Sequence, residues 1–137
     1  MAKLRALVAD DDADMLSVVS KALVQFGADV VAATSGGALL EKIANDGDFD
    51  VIVTDISMPW MTGLQVMHSA RAAGLRVPII VMTALRDPTI PEQVASLGVR
   101  AELLHKPFSI DELHAALRHC LADAGDETQT LRAHAKP

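Results

Sequence analysis

The chain has 137 residues, half of them hydrophobic, one cysteine and a formal net charge of −6 at pH 7. That length supports one domain with a substantial core, while no run approaches the ~18 apolar residues of a membrane span. The acidic balance, without a basic stripe, argues against direct nucleic-acid binding. Cys120 alone can form no internal disulfide, and carboxylates arrive too early for a signal peptide, so a cytoplasmic protein is expected.

Apolar runs of strand length recur at Leu4–Ala9, Ala28–Ala33, Val51–Thr54, Pro78–Met82 and Ala101–His105. Helical spacing separates them. Met15, Leu16, Val19, Leu23 and Phe26 mark a first helix after an acidic cluster, and Leu39, Leu40 and Ile43 a second that stops at "NDGD". Leu64, Val66, Met67 and Ala70 mark a third, closed by Gly74. Two prolines in "LRDPTIPE" delay the fourth until near Ile90 or Pro91. The fifth carries Ile110, Leu113, Leu117 and Leu121 and opens with the capping-box pattern Ser109-x-x-Glu112. Strands alternating with helices predict a parallel sheet covered on both faces, a doubly wound α/β sandwich. Residues 1–121 form the expected domain. Residues 122–137 lose apolar periodicity and read as a flexible tail or the start of a linker.

In such a sheet, sites form beyond the carboxyl ends of the strands. The first strand ends in Asp10-Asp11-Asp12, the third in Asp55, the fourth in Thr83-Ala84 and the fifth in Lys106-Pro107. Each has an ordinary explanation: an aspartate caps a helix, a threonine satisfies a loop, a lysine is solvated. Their convergence at one edge asks for more. Two carboxylates ~4 Å apart repel by about 4 kcal/mol at an effective dielectric near 20. Asp10, Asp11 and Asp55 together therefore call for cations. Lys106 supplies one charge, and a hard divalent ion with oxygen ligands, Mg²⁺, supplies two more. With Thr83 as a hydroxyl donor, Asp55 is equipped to attack phosphorus and form an acyl phosphate.

The segments "LVADDDADML", "VIVTDISMPWMTGLQVM", "PIIVMTA" and "LLHKPF" resemble, in this order, the receiver domain of two-component response regulators. The resemblance spans roughly residues 4–121 and implies a flavodoxin-like (βα)5 sandwich with strand order 2-1-3-4-5. It implies that Asp55 accepts a phosphoryl group from a sensor histidine kinase or histidine phosphotransfer protein. Asp11 then ligates Mg²⁺ directly, Asp10 partly through water, and the Ser57 backbone carbonyl completes the protein's share. Thr83 becomes the switch hydroxyl and Lys106 the phosphate-pairing lysine, with a cis Lys106-Pro107 bond. Asp12 is left to cap the first helix. Leu103 stands where an aromatic switch residue is common, so the swing of a ring is unavailable.

The implied function is a phosphorelay switch. Its fourth helix, fifth strand and fifth helix form a face that controls an output partner or a fused effector domain, and a homodimer through the last helices is left open. Ser57 and Leu85 would flank a hydrolytic water, and neither is a base, so slow self-dephosphorylation without enzymatic turnover is expected. A Mg²⁺-dependent phosphatase is disfavoured because Ser57 stands where a second acid is wanted. Flavin binding is disfavoured because the acidic loop would repel its phosphate, and a phosphorylation-independent interaction module is the remaining alternative. The histidines, Cys120 and Trp60 are read as structural, Trp60 as a loop residue partly covering the surface.

Overall fold

The computed structural model describes residues 3–98 and 100–134, with side chains described as far as residue 122. Ten elements alternate: β1 (Leu4–Ala9), α1 (Ala13–Phe26), β2 (Ala28–Ala33), α2 (Gly36–Asp46), β3 (Val51–Asp55), α3 (Gly63–Ala72), β4 (Ile79–Thr83), α4 (Ile90–Ala95), β5 (Ala101–His105) and α5 (Ile110–His134). All pairings are parallel, in the order β2-β1-β3-β4-β5. This is the flavodoxin-like doubly wound arrangement anticipated from the sequence.

The side-chain period of two divides each strand between two cores. Leu7, Ile52, Ile79 and Val81 point toward Leu39 of α2, Leu64 and Met67 of α3, and Ile90 and Val94 of α4. Ala6, Val8, Val51, Val53, Ile80 and Met82 point the other way, onto Val19 and Leu23 of α1 and Leu113 and Leu117 of α5. Leu7, Leu23, Ile52, Ile79 and Leu117 are fully buried, each worth roughly 1.5–3 kcal/mol of apolar transfer. With both faces covered, β3 and β4 have no exposed residue, which is why they read as continuous apolar runs.

Helix starts follow local chemistry. The Asp12 carboxylate accepts from the Asp14 and Met15 amides and caps α1. Ser35 caps α2 through the Ala38 amide. The expected Ser109–Glu112 capping box opens α5, and an unanticipated Thr62–Gln65 box opens α3. The fourth helix begins at Ile90, as the two prolines require.

Helix α5 runs on past Leu121, the last of the apolar positions that mark it in the sequence, to His134. The last three tail residues lie outside the described residues. Trp60 does not cover surface: it is wholly exposed and sits at φ 69°. No helix among the described residues is long and apolar enough to cross a membrane.

Candidate functional site

Strand order reverses at β1 and β3, and the site opens beyond their carboxyl ends. The ladder continues past the strands there. The Asp10 amide donates to Ala33 O at 3.1 Å, Ile56 to Met82 O at 3.0 Å, and Lys106 to Thr83 O at 2.7 Å. Pleating then decides direction. Asp10 follows Ala6 and Val8 in parity, Asp55 follows Val51 and Val53, and Lys106 follows Leu104, all members of the α1/α5 core. Three chemically unlike residues are thus delivered to one side of the sheet edge by simple alternation.

Their side chains meet. Lys106 Nζ lies 3.1 Å from Asp10 Oδ2 and 3.4 Å from Asp55 Oδ1. Asp10 is fully buried and Asp55 nearly so. Exposed Asp11 completes a set in which carboxylate oxygens of Asp10, Asp11 and Asp55 all fall within 4.8 Å of one another. Asp10 Oδ1 also accepts from the Asp12 amide at 3.0 Å. Three carboxylates therefore face one ammonium.

The titration behaviour follows. Burial chiefly, and next the Asp10 charge, raise the Asp55 pKa; Lys106 pulls it down without cancelling them. For Lys106, burial lowers the pKa, but the hydrogen bond to Asp10 and the charges of Asp55 and Asp10 together outweigh it and leave it raised. A hard cation with oxygen ligands fits this donor set: the carboxylates are close, two are buried, and the single ammonium leaves them short of positive charge.

Other expected residues lie nearby in different roles. Thr83 is buried on the opposite parity, and its Oγ1 accepts from the Leu85 amide at 2.9 Å. That bond leaves the hydroxyl proton for another partner. Ser57 is exposed in the loop after Asp55. Leu103 is half-buried in β5, paired with Val81 and packed against the α2/α3/α4 core. The Lys106-Pro107 bond is cis. Two of the histidines make packing and surface contacts: His114 bonds Ala22 O at 2.8 Å and tilts against Phe26, and His119 meets Glu102. Cys120 is buried.

Two residues that shape the site were not singled out from the sequence. A Cβ placed on Gly63 would lie 2.1 Å from Asp55 O and 2.7 Å from Thr54 Oγ1. Thr54 Oγ1 itself donates to Asp55 O at 3.0 Å. The start of α3 therefore presses directly on the backbone that carries Asp55, an approach only glycine allows. At the far side of the loop, Gly36 of α2 lies under Met61, where a Cβ would stand 1.9 Å from the Met61 carbonyl oxygen. The neighbouring Thr-Gly-Leu-Gln capping pattern hinted at the helix start, whereas the close approach is a long-range contact.

A five-stranded parallel α/β sandwich with buried acids and a lysine at its switch point belongs to the class of small doubly wound domains that act at the strand tips. A family model of the response regulator receiver domain matches residues 6–118, and the chain belongs to that family, whose members work in two-component signalling. It is 37% identical over 133 residues to response regulator MprA of Mycobacterium sp. (strain KMS), covering 93% of this chain and 56% of that one. The chain spans about half the length of the curated relatives it matches. Among solved structures, it resembles the receiver domain of the Francisella response regulator 1452, with 29% identity and a TM-score of 0.79 over 88% of this chain and 98% of the other. Chemotaxis protein CheY4 of Vibrio cholerae gives 29% identity and a TM-score of 0.79 over 87% of this chain and 99% of that one.

Proposed function

We propose that this domain is a Mg²⁺-dependent phosphoacceptor switch in which Asp55 takes a phosphoryl group from a phosphohistidine. The observation that carries the reading is the bridge of Lys106 between Asp10 and Asp55, with Asp11 completing an acidic set close enough for one ion. Asp10, Asp11, Asp55 and the Ser57 carbonyl would hold the metal. When bound, Mg²⁺ offsets charge on the carboxylates and on phosphate oxygens.

A carboxylate oxygen of Asp55 attacks phosphorus. The P–O bond forms as the P–N bond to the donor imidazole breaks, and that nitrogen keeps the electron pair. Lys106, already within reach of Asp55, pairs with the transferred group, and Thr83 turns its free O–H proton toward it. Modification replaces one carboxylate by a group of roughly −1.5 to −2 charge. The Leu85 amide loses its Thr83 acceptor as the hydroxyl moves, and the loop leading to α4 responds. Leu103 beneath α4 then passes the change to the α4-β5-α5 face, in the absence of an aromatic ring. The population shift is limited by the phosphoryl group's differential interaction with the two states. The donor is a sensor histidine kinase or a histidine phosphotransfer protein, and the face is read by an output partner or fused effector domain.

The domain itself does not turn over substrate. Intact mass measurement after acetyl phosphate and Mg²⁺ tests the assignment, with a kinase-driven repeat as the second donor. One phosphoryl adduct on the wild type, absent from Asp55→Asn and suppressed by chelator, is expected. An adduct that persists in Asp55→Asn, or none with either donor, overturns it.

A further inference from the structure

The loop from Asp55 to the start of α3 closes on itself. The Gly63 amide donates to Ile56 O at 3.1 Å, so the two ends of the loop meet. Three further contacts hold it. The Met61 amide donates to Pro59 O at 2.8 Å, Gly36 of α2 lies under the Met61 carbonyl, and the Thr62–Gln65 capping box fixes the exit. Met58 is buried and Met61 half-buried. Trp60, between them, is left wholly in solvent at φ 69°.

This is the only tryptophan in a chain with no tyrosine and three phenylalanines. Its backbone lies in the left-handed region that suits glycine and disfavours a bulky side chain. A ring of this kind can remove about 150–250 Å² from water when it is covered. Among the described residues the wholly exposed ring gains no packing to offset either cost.

What covers it follows from its neighbour. Asp55 is only 5% exposed, so a phosphohistidine reaches it when the protein that bears it presses onto the surrounding loops. Trp60 is three residues from Gly63, which packs on the Asp55 carbonyl, and its Cα therefore lies within about 11 Å of that contact. A standard interface of about 800 Å² per partner, roughly 30 Å across, takes it in. Leu85, on the loop after the adjacent strand β4, is 47% exposed, and Asp11 and Asp14 are exposed beyond β1. The rim thus offers apolar side chains beside carboxylates. A small phosphodonor has no surface with which to cover the ring. A second copy of this chain would bring an equally acidic rim against the first, each with a net charge of −6.

On the reading of Asp55 as phosphoacceptor, we infer that Trp60 is the anchor on which the phosphohistidine-bearing protein docks. The ring enters an apolar pocket of that protein, bordered by basic side chains that face Asp11 and Asp14. Trp60 is a positioning residue, touching the donor protein and not the reacting atoms. Its pinned loop keeps the ordering cost of docking low, and buried tryptophans commonly carry a large share of an interface's energy.

Phosphotransfer kinetics on the full chain test this with two donors. One is acetyl phosphate. The other is the autophosphorylated cytoplasmic portion of whichever histidine kinase of the same organism loads the wild type fastest. Acetyl phosphate should load Trp60→Ala and Trp60→Gly at the wild-type rate, whereas kcat/KM with the kinase should fall about tenfold or more, chiefly through KM. Trp60→Phe should stay within about threefold of the wild type. Trp60→Gly, freed of the unfavourable backbone conformation, should melt no lower than the wild type, which separates docking from folding. Equal losses with both donors, or unaltered transfer from the kinase to Trp60→Ala, overturn the anchor. So does a wild type that acetyl phosphate loads and no kinase does. A wild type that neither donor loads overturns the reading of Asp55, and the anchor with it.

Discussion

At the carboxyl ends of the strands, Asp10 and Asp55 are buried and share one lysine; at the amino ends, Arg71, Arg76 and Arg100 ring an open hollow. The acids are held by the sheet itself, each on the tip of a strand whose alternation aims it. Arg71 on a helix end and Arg76 on a turn are anchored by carbonyls, and Arg100 stands just before β5. Charges at the strand tips are finely placed and paired with an opposite charge, whereas half-buried Arg71 and exposed Arg76 are met by neutral carbonyls. The first kind suits chemistry at one atom.

Substituting a glycine at each edge gives the largest expected contrast. Gly63→Ala drives a Cβ into Asp55 O, where it would lie at 2.1 Å; a loss of about 3 kcal/mol is expected from such overpacking. Gly98 at the arginine edge meets nothing within 4 Å but sits at φ 95°; Gly98→Ala should cost only about 1 kcal/mol, from backbone strain. Urea unfolding of the two variants measures both. Equal losses would erase the distinction in packing between the edges.

Removing one cation from each edge comes next. Lys106→Met leaves two buried carboxylates without their ammonium and should cost about 2 kcal/mol in chelator, less than a fully buried pair because Lys106 retains some solvent contact. Arg76→Ala, at an exposed position, should stay within about 0.5 kcal/mol. Thermal melts at matched salt would show it. Comparable shifts in Tm would mean that both edges are equally solvated.

The smallest effect sharpens the electrostatics of the acidic edge. Because the folded-state pKa of Asp55 lies above its unfolded value near 3.8, the folded chain keeps a proton that the unfolded chain has already lost. Stability therefore falls as pH rises through that interval and stays lower at neutrality. Without metal, Asp55→Asn should be the more stable at pH 7 and should flatten the slope on the acidic side. Lys106, with its pKa raised above 10.5, contributes stability throughout neutral pH and loses it only as pH climbs past its folded-state value. Urea midpoints from pH 4 to 8 test the sign: a wild type that weakens on acidification relative to Asp55→Asn would contradict the raised pKa.

Much of the acidic edge was legible because a parallel sheet gathers all strand ends on one side. Once Leu4–Ala9 and Val51–Thr54 were read as strands, Asp10 and Asp55 had to meet. The ends of β3 and β4 fell one residue late, at Asp55 and Thr83, because ladder hydrogen bonds continue where apolar character stops. The role of Gly63 was hidden, since close approach depends on how α3 docks and leaves no periodic trace. The arginines were passed over for another reason: Arg71, Arg76 and Arg100 are spread over thirty positions and join only through the turns at the amino edge. Composition gave no warning of the full exposure of Trp60 or of the length of α5.

Helix α4 has six residues, and Thr89 at its start makes no side-chain cap bond to the helix amides. Its oxygen is engaged instead with Asp87 and Gln93. The helix is retained mainly by Ile90, Val94 and the following Leu97 pressed into the core. Its amides should consequently exchange with deuterium sooner than those of α1 or α3, opening as a local unit without global unfolding. A segment so lightly fastened beside Thr83 can be repositioned at small energetic expense.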